Sequence, residues 1–360
     1  MVTMMAVLEG DFAMVEGDRS HRARRLSLIL LALLGVTAVI SLGWGASEVS
    51  LQRALADLLA GRELQAQDRV VLLSIRLPRV LMAIFVGAAL ALSGAMMQGL
   101  FRNPLADPGI IGVSSGASLG AILAIVLGGA LPFALPGLLE WYIVPIAAFM
   151  GAWLTTVTLY RIATRRGQTS VATMLLAGIA LAAIMSAIAG LVILRADDRQ
   201  LRDLTFWGLG SLAGANWPKL AAALPIMALA LAAAPHLARG LNALAFGEAT
   251  AGHIGIRVQQ VKNRTVLVVS AATGAAVAVS GGIAFVGVVV PHLLRLISGP
   301  DHRWLLINSA LLGAVMLLVA DMISRVIIAP AELPIGIITA IMGGPFFMWI
   351  LLRKRGVLDL

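Results

Sequence analysis

Apolar runs of about 20 residues, the length a membrane-crossing helix needs, recur along this chain with short polar or glycine- and proline-marked connections between them. Ten such runs predict helices over 26–45, 80–100, 108–128, 141–161, 171–194, 219–236, 263–281, 283–297, 304–324 and 335–352. The eighth is short and holds Pro291. The first follows a mixed, basic stretch, EGDFAMVEGDRSHRARR, and is too long for the core of a signal peptide, so it reads as a retained span. No polar stretch is long enough to fold as a sizeable soluble domain. The expected organisation is an N-terminal tail over 1–25 and one transmembrane domain over 26–360, with halves at about 26–200 and 219–355.

Composition fixes the solvent. With 60% hydrophobic and 12% charged residues and a mean hydropathy of +0.95, the chain lies outside the range of soluble domains. There are no cysteines, which removes disulfides, thiolate metal sites and cysteine nucleophiles together. A pI near 11.2 would suit a nucleic-acid binder, but in a membrane protein the position of each cation matters more than their sum. With the N-terminus inside, the inner segments hold 17 basic and 8 acidic residues, and the outer ones 10 of each. That asymmetry places both termini in the cytoplasm and turns the basic pI into a topology signal.

An internal repeat supports the same layout. GAALALSG at 87–94 recurs as GAAVAVSG at 274–281, and Pro104 and Pro291 keep the same offset of 187. Farther on, MGA at 150–152 and LGA at 312–314 give a smaller offset, as if the second copy had lost much of its third-span equivalent. Five spans per half is an odd number, so the second copy enters the membrane from the opposite side. Inverted repeats of this kind are a transporter architecture, with the pathway near the repeat interface.

The chemistry is thin. A nucleotide-cradling loop needs Gly-Lys-Ser/Thr, and Lys219, Lys262 and Lys354 follow Pro, Val and Arg. No His precedes Glu, which removes the H-E-x-x-H zinc site. GVSSG at 112–116 matches a nucleophile pattern around Ser114, but that chemistry needs a strand-to-helix elbow. Here Gly112, Gly116 and Gly120 repeat every four residues along a predicted span, a spacing that lets helices approach closely. Ionisable residues are nearly absent from the spans, with Asp321 at an outer end and Asp107 and Glu248 in connections, which disfavours proton coupling. His21, His236, His253, His292 and His302 fall near the inner side and read as surface or helix-end residues; the 15 methionines read as packing. The longest inner connection, RGLNALAFGEATAGHIGIRVQQVK at 239–262, carries a short helical pattern between Gly247 and Gly255. It reads as a linker or as a helix offered to a cytoplasmic partner.

The stretches RLPRVLMAIFVGAALALSGAMMQGLFRNPLADPGIIGVSSGA, FWGLGSLAGANW, GEATAGHIG, AFVGVVVPHLLRL and AELPIGIITAIMGGPFFMWILL, in this order, resemble the permease subunits of binding-protein-dependent ABC importers for cobalamin, iron-siderophores and haem. The resemblance covers nearly everything beyond residue 26. It implies an all-α type II importer fold of ten helices, and a homodimer around one pathway in the bacterial inner membrane. It also implies two ATPase subunits, which supply ATP and magnesium, and a periplasmic binding protein. No cofactor or metal is expected on this chain, and no bond chemistry.

By the same resemblance, Arg76, Arg79 and Arg325 face outward and pair with acids of the binding protein, Pro78 setting the chain direction between the first two. Such pairing steers encounter and fixes register. Lipid anchoring is the alternative for these arginines. The ATPase coupling helix falls on Gly247, Glu248, Ala251, His253 and Gly255, and an inner gate on Gln168, Thr169, Ser170 and Thr173. The closest resemblance is to the haem branch, so haem is the expected cargo, with ferric siderophore and cobalamin as alternatives. Rivals of another class are a self-contained secondary carrier or channel and an intramembrane hydrolase using Ser114.

Overall fold

The computed structural model describes residues 19–45, 53, 56–57, 60–63, 65–128, 137–165, 168–329 and 331–353. The tail up to residue 18 and Lys354, both named above, lie outside them. Ten helical segments answer the ten predicted spans: α1 Ser20–Gly43, α2 Ala66–Phe101, α3 Val113–Leu127, α4 Gly137–Ala163, α5 Val171–Ile193, α7 Trp217–Ala233, α10 Val258–Ser280, α11 Val286–Ser298, α12 His302–Ser324 and α13 Ile335–Arg353. Between them lie α6 Asp198–Gly208, α8 Ala238–Ala245 and α9 Glu248–His253. Among the described residues seven helices are long and apolar enough to cross a membrane, α7 running on through α8 as one span Trp217–Ala245; Val113–Leu127, Val286–Ser298 and the Ile335–Trp349 part of α13 are shorter apolar segments. A two-residue hairpin, β1 Thr164–Arg165 against β2 Gln168–Thr169, joins α4 to α5.

The second span starts at residue 66, well before the predicted 80. Its first part, Val70–Arg76, is π-helical. Pro78 follows at once; it has no N–H to return to Ser74 and its ring crowds that carbonyl, which the wider turn accommodates. Pro78 therefore lies in a continuous helix and sets no turn. At 1.5 Å per residue α2 is about 54 Å long, longer than the hydrocarbon layer, so one end projects beyond it.

The packing carries a two-fold relation between halves. Helix α2 packs on α11 and α12, and its repeat counterpart α10 packs on α3 and α4; α2 and α10 pack on each other. Both are mostly buried and form the centre of the bundle. The crossings are made where side chains are missing. A Cβ on Gly94 would lie 1.9 Å from the Gly287 carbonyl, and one on Gly87 2.3 Å from that of Gly313. In the first half Gly116 and Gly120 abut the carbonyls of Gly151 and Ala147 in the same way. Gly112 differs: at φ 73° it is the left-handed cap ahead of α3. Its counterpart ahead of α11 is Phe285, also left-handed at φ 68°. A side chain rarely tolerates that region, and Gly343 leaves room for it, since a Cβ there would meet that of Phe285 at 2.3 Å.

Two details of the repeat change. Helices α3 and α11 have 15 and 13 residues, so the second copy keeps its third-span equivalent. The loss lies in the link: residues 102–112 join α2 to α3, whereas 281–285 join α10 to α11. Pro104 is consequently in a connection and Pro291 inside a helix.

Three helix junctions converge: the end of α6, the link from α10 to α11 and the start of α13. Gly210 abuts the Gly282 carbonyl, Gly281 that of Trp207, and Gly336 that of Leu209, while Ser211 N–H donates to Ser280 O at 2.8 Å. The glycines of FWGLG, SGG and LPIG thus serve a single junction.

Candidate functional site

The arginines of SIRLPR gather with Arg325 at one end of the bundle, and they face inward. Arg76, Arg79 and Arg325 are 4%, 6% and 6% exposed. Arg79 reaches Asp321 through Nε and Nη2, both at 2.9 Å from Oδ1, and Glu332 through Nη1 at 2.8 Å. Arg325 pairs with the other oxygen of Asp321, one helical turn before it on α12. Its Nη1 also donates to the carbonyls of Ser41 and Trp44 at 3.1 and 3.2 Å, and Arg76 Nη1 to that of Leu42 at 2.7 Å.

Those carbonyls belong to the last turn of α1 and its cap residue Trp44, where no helical donors are left for them and the negative end of the helix dipole lies. Two guanidinium groups supply what is missing. All three are buried, two within α2 and one at the C-cap of α12, and they find internal partners because an unpaired buried charge is costly. Asp321, placed by sequence at an outer end of a span, is fully buried between two of them. Of this network Glu332 is the open member, its side chain 39% exposed.

The opposite end holds the other predicted residues. Gly247, at φ 102°, turns the chain into α9, and Gly255, at φ 84°, turns it out again. Ala251 is buried, whereas His253 is exposed. Glu248 is held: its carboxylate accepts from Lys262 Nζ of α10 at 2.6 Å. Phe246 and Ile254 flank α9 and are 77% and 64% exposed. Sequence reasoning passed over these two; large apolar residues inside a polar inner connection were the available signal.

The hairpin between α4 and α5 stands beside α10. Thr169 is buried; its N–H donates to Gln259 Oε1 at 3.0 Å, its Oγ1 accepts from Gln259 Nε2 at 2.6 Å, and its carbonyl accepts from Lys262 Nζ at 2.8 Å. Ser170 caps α5, accepting from the Thr173 N–H at 3.2 Å, and Gln168 is exposed. Four predicted gate residues therefore divide into a clamped Thr169, an exposed Gln168 and a helix cap made by Ser170 and Thr173.

Ser114 lies on the second residue of α3, so no strand leads into it and the nucleophile elbow is absent. Asp107 packs against the α2–α11 crossing, with Oδ2 3.2 Å from where a Cβ on Gly287 would be. Burial pushes its carboxyl above the usual carboxylate range, and the Gly109 N–H at 2.7 Å pulls the other way. Helix α5 turns a wide apolar face outward, with Leu176, Ile179, Ile184 and Leu191 all exposed.

A polytopic helical bundle of two inverted halves, with short and interrupted helices at their interface and a small helix presented at one end, defines a membrane permease. Residues 32–353 match the FecCD transport family, and the chain belongs to it, among the permease subunits of ABC importers. It is 48% identical over 287 residues to the hemin transport system permease protein HmuU of Yersinia pestis, covering 79% of this chain and 83% of that one. The cobalamin import system permease protein BtuC of Halobacterium salinarum is 43% identical over 80% of this chain and 75% of its own length. The vitamin B12 permease BtuC of Klebsiella pneumoniae is 40% identical over 94% and 96%. A solved inward-facing structure of a metal-chelate type ABC transporter superposes with a TM-score of 0.79 at 32% identity, covering 92% of this chain and 99% of that one. Permeases of this family work with ATPase and binding-protein partners in general.

Proposed function

We propose that the chain moves haem across the bacterial inner membrane by alternating access. In this reading it works as a homodimer with two cytoplasmic ATPase subunits and a periplasmic binding protein, and both its termini are cytoplasmic. The observation that carries haem is the 48% identity to the hemin permease, against 43% and 40% for the two cobalamin permeases. A large, mostly apolar macrocycle also suits α5, whose exposed face carries no ionisable side chain along Val171–Ile193. The excess of basic residues on the α9 side supports the orientation.

ATP and magnesium belong to the partner subunits. ATP closure there displaces α9, with exposed Phe246 and Ile254 as the apolar anchors of the contact. Transport then requires only that the partners bind the two states of the permease with different affinity.

At the other end, docking of the binding protein takes place by exchange. Arg79 is shared between buried Asp321 and half-open Glu332, so its Glu332 side is where an acidic partner can compete for the guanidinium. A partner carboxylate takes the place of half-open Glu332 on Arg79. Glu332→Gln is therefore expected to tighten binding-protein association several-fold at low salt and less at high salt. Unchanged or weaker binding in a titration at both salt levels would count against exchange.

The test of function is uptake into proteoliposomes holding this chain, its ATPase and its binding protein. Haem accumulation that needs ATP and binding protein is the expected result. Uptake of a ferric siderophore or cobalamin in its place removes the substrate assignment, and uptake without ATP removes the mechanism.

A further inference from the structure

Lys262 occupies a position that helix formation does not explain. It lies in the second turn of α10, where a cation opposes the positive end of the helix dipole, and it is 4% exposed although a lysine stem normally carries its ammonium to water. Its ammonium joins three elements. It donates to Glu248 on α9 at 2.6 Å and to the carbonyl of Thr169 in the hairpin at 2.8 Å, while its own backbone belongs to α10. Gln259, three residues earlier on the same face of α10, holds the N–H and the hydroxyl of the same Thr169. Tyr160, near the end of α4, closes the group through Asn263 at 2.5 Å. Ser170, the residue after Thr169, caps α5. The route from α9 to the first turn of α5 is therefore Glu248, Lys262, Thr169, Ser170.

We propose that Lys262 is the positioning residue through which displacement of α9 reaches the hairpin and the N-terminus of α5. Nζ has three protons, and two of them engage groups on elements that have no covalent link closer than the length of α5 to α9. Helix α5 is the candidate span least covered by the rest of the chain, with 6% of its apolar window buried, so its position is set by a limited set of contacts on one side, the hairpin at its start among them. Charge-assisted bonds to a carboxylate and a backbone carbonyl are among the stronger and shorter polar contacts available. Movement of Glu248 therefore pulls on Thr169, or breaks the ammonium free of one partner and releases the hairpin. Either event makes the position of α5 depend on that of α9. This inference rests on reading α9 as the ATPase contact.

The test uses the full assembly of permease, ATPase and binding protein, in lipid. The chain has no cysteines, so pairs of spin labels can be introduced without removing native ones. One label goes on exposed Thr250 of α9 and one on exposed Gln168 of the hairpin, each paired with a fixed label on α12, and distances are measured with and without ATP. In the parent both labels are expected to shift on ATP binding. In Lys262→Met the label at 250 is expected to shift while that at 168 stays, and haem moved per ATP hydrolysed falls about tenfold. Lys262→Arg, which keeps both donors, restores the movement at 168.

A Lys262→Met assembly whose label at 168 follows ATP as in the parent overturns the tether. If the label at 250 does not move even in the parent, the reading of α9 as the ATPase contact fails first and the tether with it. Should Lys262→Met not assemble, Glu248→Ala, on an exposed side chain and with no acceptor left for the ammonium, is read in the same way at 168, and retention of the full shift there overturns the proposal.

Discussion

Asp321→Ala is expected to destabilise the folded chain by about 3–5 kcal/mol, the range seen when one member of a buried ionic group is removed. Its carboxylate is fully buried and divides its two oxygens between Arg79 and Arg325. Without it the two guanidinium groups are left in the same buried pocket, with Glu332 as the remaining acid and the carbonyls of α1 as the remaining acceptors. Repulsion between them is weakly screened, because salt acts poorly on buried charge. The measurement is the fraction of chain remaining monodisperse in detergent after heating, taken at low and high salt. A matching loss at both salt levels supports a buried network; a loss that high salt removes would mean that water reaches the pair. Asp321→Asn should be damaging too, since the amide keeps the shape and loses the charge. Asp321→Leu combined with Arg79→Leu and Arg325→Met should recover part of the loss, because apolar residues of similar volume can replace a buried ionic group.

Gly94→Leu is expected to cost at least about 1–3 kcal/mol, the usual range for overpacking. The obstacle is backbone: a Cβ at this position would lie 1.9 Å from the Gly287 carbonyl, so no rotamer change relieves it and α2 must move away from α11. Even Gly94→Ala meets the same atom. Gly35→Ala is the control, since nothing lies within 4 Å of its Cβ position on α1, and alanine there should be neutral or stabilising by up to about 1 kcal/mol. Both are read by the same heating assay. Equal behaviour of Gly94→Ala and Gly35→Ala would mean that the α2–α11 crossing is looser than described.

The residues carrying function divide by how local their signal is. The helix α9 was legible because two glycines at positive φ bracket it in a polar stretch, which sequence alone exposes as a turn, a short helix and a turn. The partner of Glu248 was not legible. Lys262 lies 14 positions away, in the predicted inner segment, and only the packing of α9 on α10 brings the charges to 2.6 Å. The arginines show the opposite error. Sequence placed Arg76 and Arg79 at the start of a span beginning at residue 80, whereas α2 begins at residue 66 and holds both inside the helix, where they are buried. A sequence records that a cation stands near a membrane boundary; it does not record that α1 ends beside it with bare carbonyls.

The sequence by itself determined that this is a helical membrane protein, where its ten apolar segments lie, that its halves repeat, and that it has no nucleotide loop of its own. These are properties of composition and of spacing along the chain, and lipid enforces them because a spanning segment must be apolar and must satisfy its own backbone. Tertiary structure decided which glycines are crossings and which are caps, which way the arginines face, and that a single ammonium joins α9 to the hairpin. Those depend on contacts between residues far apart in the chain, and a contact of that kind has no periodicity from which to read it.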